Sequence, residues 1–105
     1  MGRLTIHSQQ RLDGTVVLAM RGELDHATVA AVADAVDEAL RNRPARMCLD
    51  LALVPFIDSV GISGLIRAHW AARRAGCELA MINASPFARS LVDKLGLAEL
   101  LQSAG

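Results

Sequence analysis

Aromatic residues are nearly missing: Phe56, Trp70 and Phe87 are the whole supply in 105 residues. The core must therefore be aliphatic, built from Leu, Val, Ile and Ala. Hydrophobic residues make up 52% of the chain, enough to fill one domain without a metal or disulfide staple. Cysteine is scarce too. Cys48 and Cys77 stand 29 positions apart, with no Cys-x-x-Cys pair and no Cys/His cluster, which argues against a zinc site. They read as buried free thiols in a reducing compartment. There is no excess of positive charge: formal net charge is zero, so the basic footprint of a nucleic-acid binder is lacking. No stretch approaches 18 uninterrupted apolar residues, and "MGRLTIHSQQ" has no apolar centre of a signal peptide. The expectation is a soluble, cytoplasmic domain with no membrane span and no direct contact with nucleic acid.

What is present alternates in period. "LTIH" (4–7) reads as a strand, Asp13-Gly14 as a hairpin turn, and "TVVLAMRG" (15–22) as a second strand ended by Gly22. Val29, Val32, Ala33, Val36 and Leu40 then recur at helical spacing, which predicts a helix over 26–42 with Asp25 as its N-cap. "RMCLDL" (46–51) reads as a buried strand. Pro55 lacks an N–H and is expected to stop the ladder there. A second helix starts at Ser59 and stops at Gly76. "ELAMIN" (78–83) reads as a strand, and 85–96 as a helix with Ser85 as N-cap, Pro86 in first position and Gly96 after its end. A short apolar turn or helix, "LAELLQ", closes the pattern.

The order β-β-α-β-α-β-α predicts a single-domain α/β fold. Its sheet is mixed and four-stranded. An N-terminal hairpin leads into β-α-β-α-β, the first strand runs antiparallel at one edge, and right-handed crossovers put the helices mainly on one face. Three segments then gather at one end of the sheet: "GELDH", "FIDSVG" and "NASP". The carboxyl ends of parallel strands are where open α/β sheets place their sites. Glu23, Asp25, Asp58 and Ser59 should be neighbours there, although 33 positions separate Asp25 from Asp58.

Asp58 and Ser59 admit several chemistries. Either residue can simply cap the second helix. A serine hydrolase does not fit: "GISGL" misses the Gly-x-Ser-x-Gly elbow by one position, and His7, His26 and His69 are scattered. Phosphate-cradling glycine loops are missing. Two acids without clustered His or Cys make a poor metal site, leaving at most weak magnesium binding. A regulatory modification fits better. Phosphate on a serine at a helix N-terminus suits the helix dipole, adds nearly two negative charges, and does so beside carboxylates already in place.

"GELDHAT", then "FIDSVGISGLI", then "GCELAMINASPFARSLVDKLGLAELL" resemble, in order and spacing, the STAS domain, over about residues 5–101. The resemblance is to its stand-alone anti-sigma-factor antagonists. It implies a non-enzymatic partner switch without a cofactor. Ser59, in the position of the family's Asp-Ser-Ser/Thr-Gly-Leu-Gly serine, becomes the phosphorylation site. Glu23, Asp25, Asp58, Ser59, Val60, Gly61 and Ile62 become the partner-binding set. The implied partners are an anti-sigma factor that is also a serine kinase of the histidine-kinase ATPase type, and a serine phosphatase. Two departures are visible: Val60 stands where a second hydroxyl is usual, and "GISG" puts Ser63 one turn along the helix. The family also has members that are not phosphorylated, serving as scaffolds or as accessory subunits of lipid-transport or sensory assemblies.

Overall fold

The computed structural model of the protein describes residues 3–94. The elements run β1 (Leu4–Gln10), β2 (Val16–Leu24), α1 (Val29–Leu40), β3 (Arg46–Ile57), α2 (Ser59–Arg74), β4 (Glu78–Ile82) and α3 (Pro86–Lys94). They form one mixed sheet in the order β1-β2-β3-β4. β1 pairs antiparallel with β2, while β2–β3 and β3–β4 are parallel. This is the expected architecture. Gly96 and the apolar segment after it lie outside the described residues.

Alternation along the strands builds the core. Leu18 and Met20 of β2, Met47, Leu49 and Leu51 of β3, and Leu79 and Met81 of β4 share one face of the sheet. Val32 and Val36 of α1, Ile62 and Leu65 of α2, and Ala88 and Val92 of α3 complete the same cluster. No aromatic ring belongs to it. On the opposite face Val17, Cys48 and Ala80 form a row of small buried residues across paired strands. Cys48 and Cys77 are free and buried, and burial pushes both thiols above their usual titration range.

Strand lengths depart from the sequence reading, and the site depends on the difference. β1 continues to Gln10. β2 does not stop at Gly22, and β3 does not stop at Leu51. Gly22 adopts φ +125°, and a Cβ there would fall onto the Arg3 carbonyl, so glycine lets the strand carry on where other residues could not. β3 continues through Pro55 for a different reason. Its pairing with β2 slips twice, between Ala19↔Asp50 and Arg21↔Leu53 and again before Glu23↔Phe56. Each slip gives β3 one extra residue, and Pro55 falls in the second, without a register partner. On the other side β4 reaches only Asp50, so on that edge no described strand needs a donor from β3 beyond that point.

The candidate switch site at the carboxyl end of the sheet

The longer strands bring the two sequence segments side by side. Glu23 pairs with Phe56 and Leu24 with Ile57, and the Asp58 N–H donates to the Leu24 carbonyl at 3.2 Å. The gathering of Glu23 and Asp25 with Asp58 and Ser59 is thus a gathering of backbones, made by β2 and β3 ending together.

Asp58 is the N-cap of α2. It lies in extended conformation (φ −98°, ψ −177°), and its Oδ1 accepts from the Gly61 N–H at 2.8 Å. That bond satisfies one of the free donors of the first turn. Gly61 is buried, and a Cβ there would collide with the Leu24 carbonyl oxygen. Glycine at this position lets the helix end press against the end of β2. Farther along, Gly64 does the same against the Val29 side chain of α1.

Ser59 is the first residue of α2 and is exposed. Its carbonyl accepts from Ser63 Oγ at 3.0 Å, while its own Oγ has no hydrogen-bond partner among the described residues. Val60 beside it is also exposed, at 40%. The hydroxyl therefore stands open at a helix N-terminus, where the dipole and free N–H groups favour an anion.

Asp25 does not cap α1, contrary to the sequence reading. Three turn residues intervene, and Thr28 takes the N-cap position without a side-chain cap bond. The Asp25 carboxylate accepts from the Ala27 N–H (3.0 Å) and lies 3.2 Å from Thr28 Oγ, while its carbonyl accepts from the Thr28 and Val29 N–H groups. Thr28 Oγ in turn accepts from the Asp25 N–H at 3.0 Å and donates to the Glu23 carbonyl at 2.7 Å. Thr28 thus pins the loop that holds both acids, and sequence reasoning missed it. Its signal was a hydroxyl three residues after an aspartate, which offers that aspartate's backbone a side-chain partner.

Of the seven residues expected to meet a partner, Glu23, Asp25 and Asp58 are partly exposed, and Ser59 and Val60 are open. Gly61 and Ile62 are not at the surface. Ile62 is 2% exposed and belongs to the core, so these two shape the site from below. The structure adds Leu53 (60% exposed) and Phe56 (44%), large apolar side chains on the extension of β3 that runs into Asp58. Among the described residues no three His, Cys, Asp or Glu side chains come together in a metal-holding group. "NASP" also plays a structural part. Asn83 sits in the left-handed region (φ +59°) and its Nδ2 donates to Asp50 Oδ1 at 3.1 Å, while Ser85 Oγ caps α3 by accepting from the Ala88 N–H at 3.1 Å.

The family profile of the STAS domain matches residues 8–103. The chain belongs to the STAS domain family. An anti-sigma F factor antagonist of Paenibacillus polymyxa is 29% identical over 89 residues, spanning 84% of this chain and 76% of that one. The anti-sigma-F factor antagonist RsfB of Mycobacterium tuberculosis is 38% identical over 50 residues, 48% of this chain and 41% of that one. Among solved structures, the anti-sigma factor antagonist SpoIIAA in its unphosphorylated form superposes with a TM-score of 0.79 at 20% identity, covering 96% of this chain and 89% of that one. An anti-sigma factor antagonist from Mycobacterium paratuberculosis gives 0.79 at 24% identity, over 95% and 84% of the two chains. At these identities the superpositions speak for the STAS fold. Among the described residues no helix is long and apolar enough to cross a membrane.

Proposed function

We propose that this STAS domain is an anti-sigma-factor antagonist that works as a phosphorylation-controlled partner switch. With Ser59 unmodified, the surface formed by Glu23, Asp25, Asp58, Ser59 and Val60, with exposed Leu53 and Phe56 beside it, binds an anti-sigma factor and so releases a sigma factor. The anti-sigma factor is also the serine kinase, of the histidine-kinase ATPase type. It phosphorylates Ser59 and ends the complex, and a serine phosphatase restores it. The role is regulatory and not catalytic.

One observation carries the reading. Ser59 presents an exposed hydroxyl, without a hydrogen-bond partner among the described residues, on the first turn of α2, directly after the capping Asp58 and at the sheet end where the chain of Glu23 and Asp25 leaves β2. Phosphorylation there adds about 1.5 to 2 negative charges. A partner surface fitted to a neutral hydroxyl then faces a bulky dianion it has to desolvate, next to carboxylates of the same sign. The helix N-terminus tolerates that anion, so the fold stays intact while the complex is lost. The names of the curated relatives support the same assignment.

The test is phosphate transfer from ATP by purified anti-sigma kinases of the source genome, read by mapping the modified residue. Phosphate on Ser59, binding retained by Ser59→Ala and binding lost by Ser59→Asp are expected. Phosphate on another residue, or a Ser59→Asp protein that binds like wild type, overturns the proposal.

A further inference from the structure

The outer face of α2 does not end at Ser59. At 3.6 residues per turn, Ser59, Ser63, Ile66, Trp70 and Arg73 fall within roughly 80° of one another around the helix axis. Leu65, Ala68 and Ala72 take the opposite side, in the core, while buried Ile62 lies beside Ile66 at the edge where the outer face turns into the core. Trp70 lies 11 positions beyond Ser59, about 16 Å along the helix at 1.5 Å per residue.

Trp70 is 50% exposed, yet it is not loose. Its ring meets the His69 imidazole edge-on, with centroids 5.1 Å apart and an interplanar angle of 70°. The Arg73 guanidinium carbon stands 5.7 Å from the ring centroid, within cation–π range. Among the described residues neither nitrogen of His69 has a hydrogen-bond partner, and its imidazole packs against the indole. Arg67, Arg73 and Arg74 are exposed and form no ion pair among the described residues. A half-exposed indole, held in place between His69 and Arg73, has the make-up of an interface anchor. Trp and Arg dominate such anchors because they bury large area at little entropic cost.

We propose that Trp70 is a second anchor of the surface that begins at Ser59. The outer face of α2 docks along its length on the anti-sigma partner, with the indole in an apolar pocket of that partner. A carboxylate at the pocket rim meets Arg73. The inference rests on the partner-switch reading and deepens it by dividing the work. The Ser59 end carries the switch, and the Trp70 end carries affinity that phosphorylation does not touch.

Trp70 is the single tryptophan of the chain, so it reports on itself. Protein labelled with 5-fluorotryptophan is titrated with each purified anti-sigma kinase of the source genome in its ADP-bound form, and the fluorine resonance and Kd are followed. The resonance is expected to shift and lose its solvent-isotope effect on binding. Trp70→Ala is expected to weaken binding ten- to a hundred-fold, and Trp70→Phe less than ten-fold. The urea midpoint of both variants should stay near that of wild type. A fluorine resonance unmoved at saturation overturns the anchor, as does a Trp70→Ala variant that binds within two-fold of wild type. If Ser59→Asp still abolishes that binding, the switch reading stands without the anchor. Binding by none of the kinases overturns both.

Discussion

The chain enters α1 and α2 at the same end of the sheet, and each time through an aspartate. Only one of the two caps its helix. Asp58 stays extended, its carboxylate reaches the Gly61 N–H, and α2 begins at the next residue. Asp25 is followed by three turn residues, and its carboxylate is spent on Ala27. The hydroxyls differ in the same way. Thr28 is 8% exposed and engaged with the Glu23 carbonyl and the Asp25 N–H. Ser59 is open, and its Oγ has no partner among the described residues. One entry uses its hydroxyl to hold the loop, and the other leaves its hydroxyl open. Capping preference alone does not distinguish the two. What distinguishes them is the residue three positions on: a glycine that lets the helix end close up, or a threonine that competes for the aspartate's backbone.

The comparison breaks most severely at that glycine. Gly61→Ala puts a Cβ onto the Leu24 carbonyl, a backbone atom that cannot step aside. A loss of about 3 kcal/mol is expected, the upper range for overpacking, read as a fall in urea midpoint at unchanged m-value. Gly64→Ala is the control, because its Cβ would meet the end of the Val29 side chain, which can rotate, and it should cost clearly less. Equal losses would mean that the close approach at Leu24 is not what seats α2.

At the other entry the sensitive group is Thr28. Thr28→Val keeps the shape and removes the hydroxyl, leaving the Glu23 carbonyl and the Asp25 N–H without their partner. A loss of about 2 kcal/mol is expected for buried groups left unsatisfied. Amide exchange at Asp25 should speed up while exchange in α2 stays as it was. Uniform acceleration across the domain would show that the loop has no separate stability.

These two residues also mark what the sequence made legible. Asp58, Ser85 and Gly76 do what their residue types suggest. Gly76 takes φ +73° after α2, with the Cys77 N–H reaching back to the Ala72 carbonyl and the Gly76 N–H to that of Arg73. Each of those signals is local and is answered within a few residues. Gly22, Pro55 and Asp25 misled because their meaning is set by other strands. Gly22 is a stop only if nothing runs beside it, and Arg3 does. Pro55 is a stop only if a neighbour needs its N–H, and β4 ends too early to need it. The site was legible as a neighbourhood, since chain order alone puts Glu23, Asp25, Asp58 and Ser59 at one end of the sheet. Which side chains reach the surface was not. Ile62 and Phe56 are both large and apolar, yet Ile62 faces the core from α2 and Phe56 stays exposed on β3.

The two aspartates give a smaller and more direct contrast. Asp58→Ala removes a true cap and should cost about 1 kcal/mol. Asp25→Ala removes a loop contact from a partly exposed carboxylate and should cost about 0.5 kcal/mol. Chemical denaturation of both variants in one buffer resolves the difference. A reversed order would make the α1 entry the stronger of the two and would contradict the cap geometry.

The smallest effect on stability belongs to Ser59, the proposed switch residue. Ser59→Asp adds a negative charge at the first position of α2, where the dipole favours it by roughly 0.3 to 1 kcal/mol. Asp58, immediately before it, opposes that gain by like-charge repulsion, worth a few tenths of a kcal/mol for exposed groups. The two nearly cancel, so the variant should unfold within about 0.5 kcal/mol of wild type. Its affinity for the anti-sigma partner should nevertheless collapse. Unfolding and binding measured on one preparation separate the possibilities. A variant that loses binding together with 2 kcal/mol or more of stability would have failed by unfolding, and the charge-based switch would then have to be abandoned.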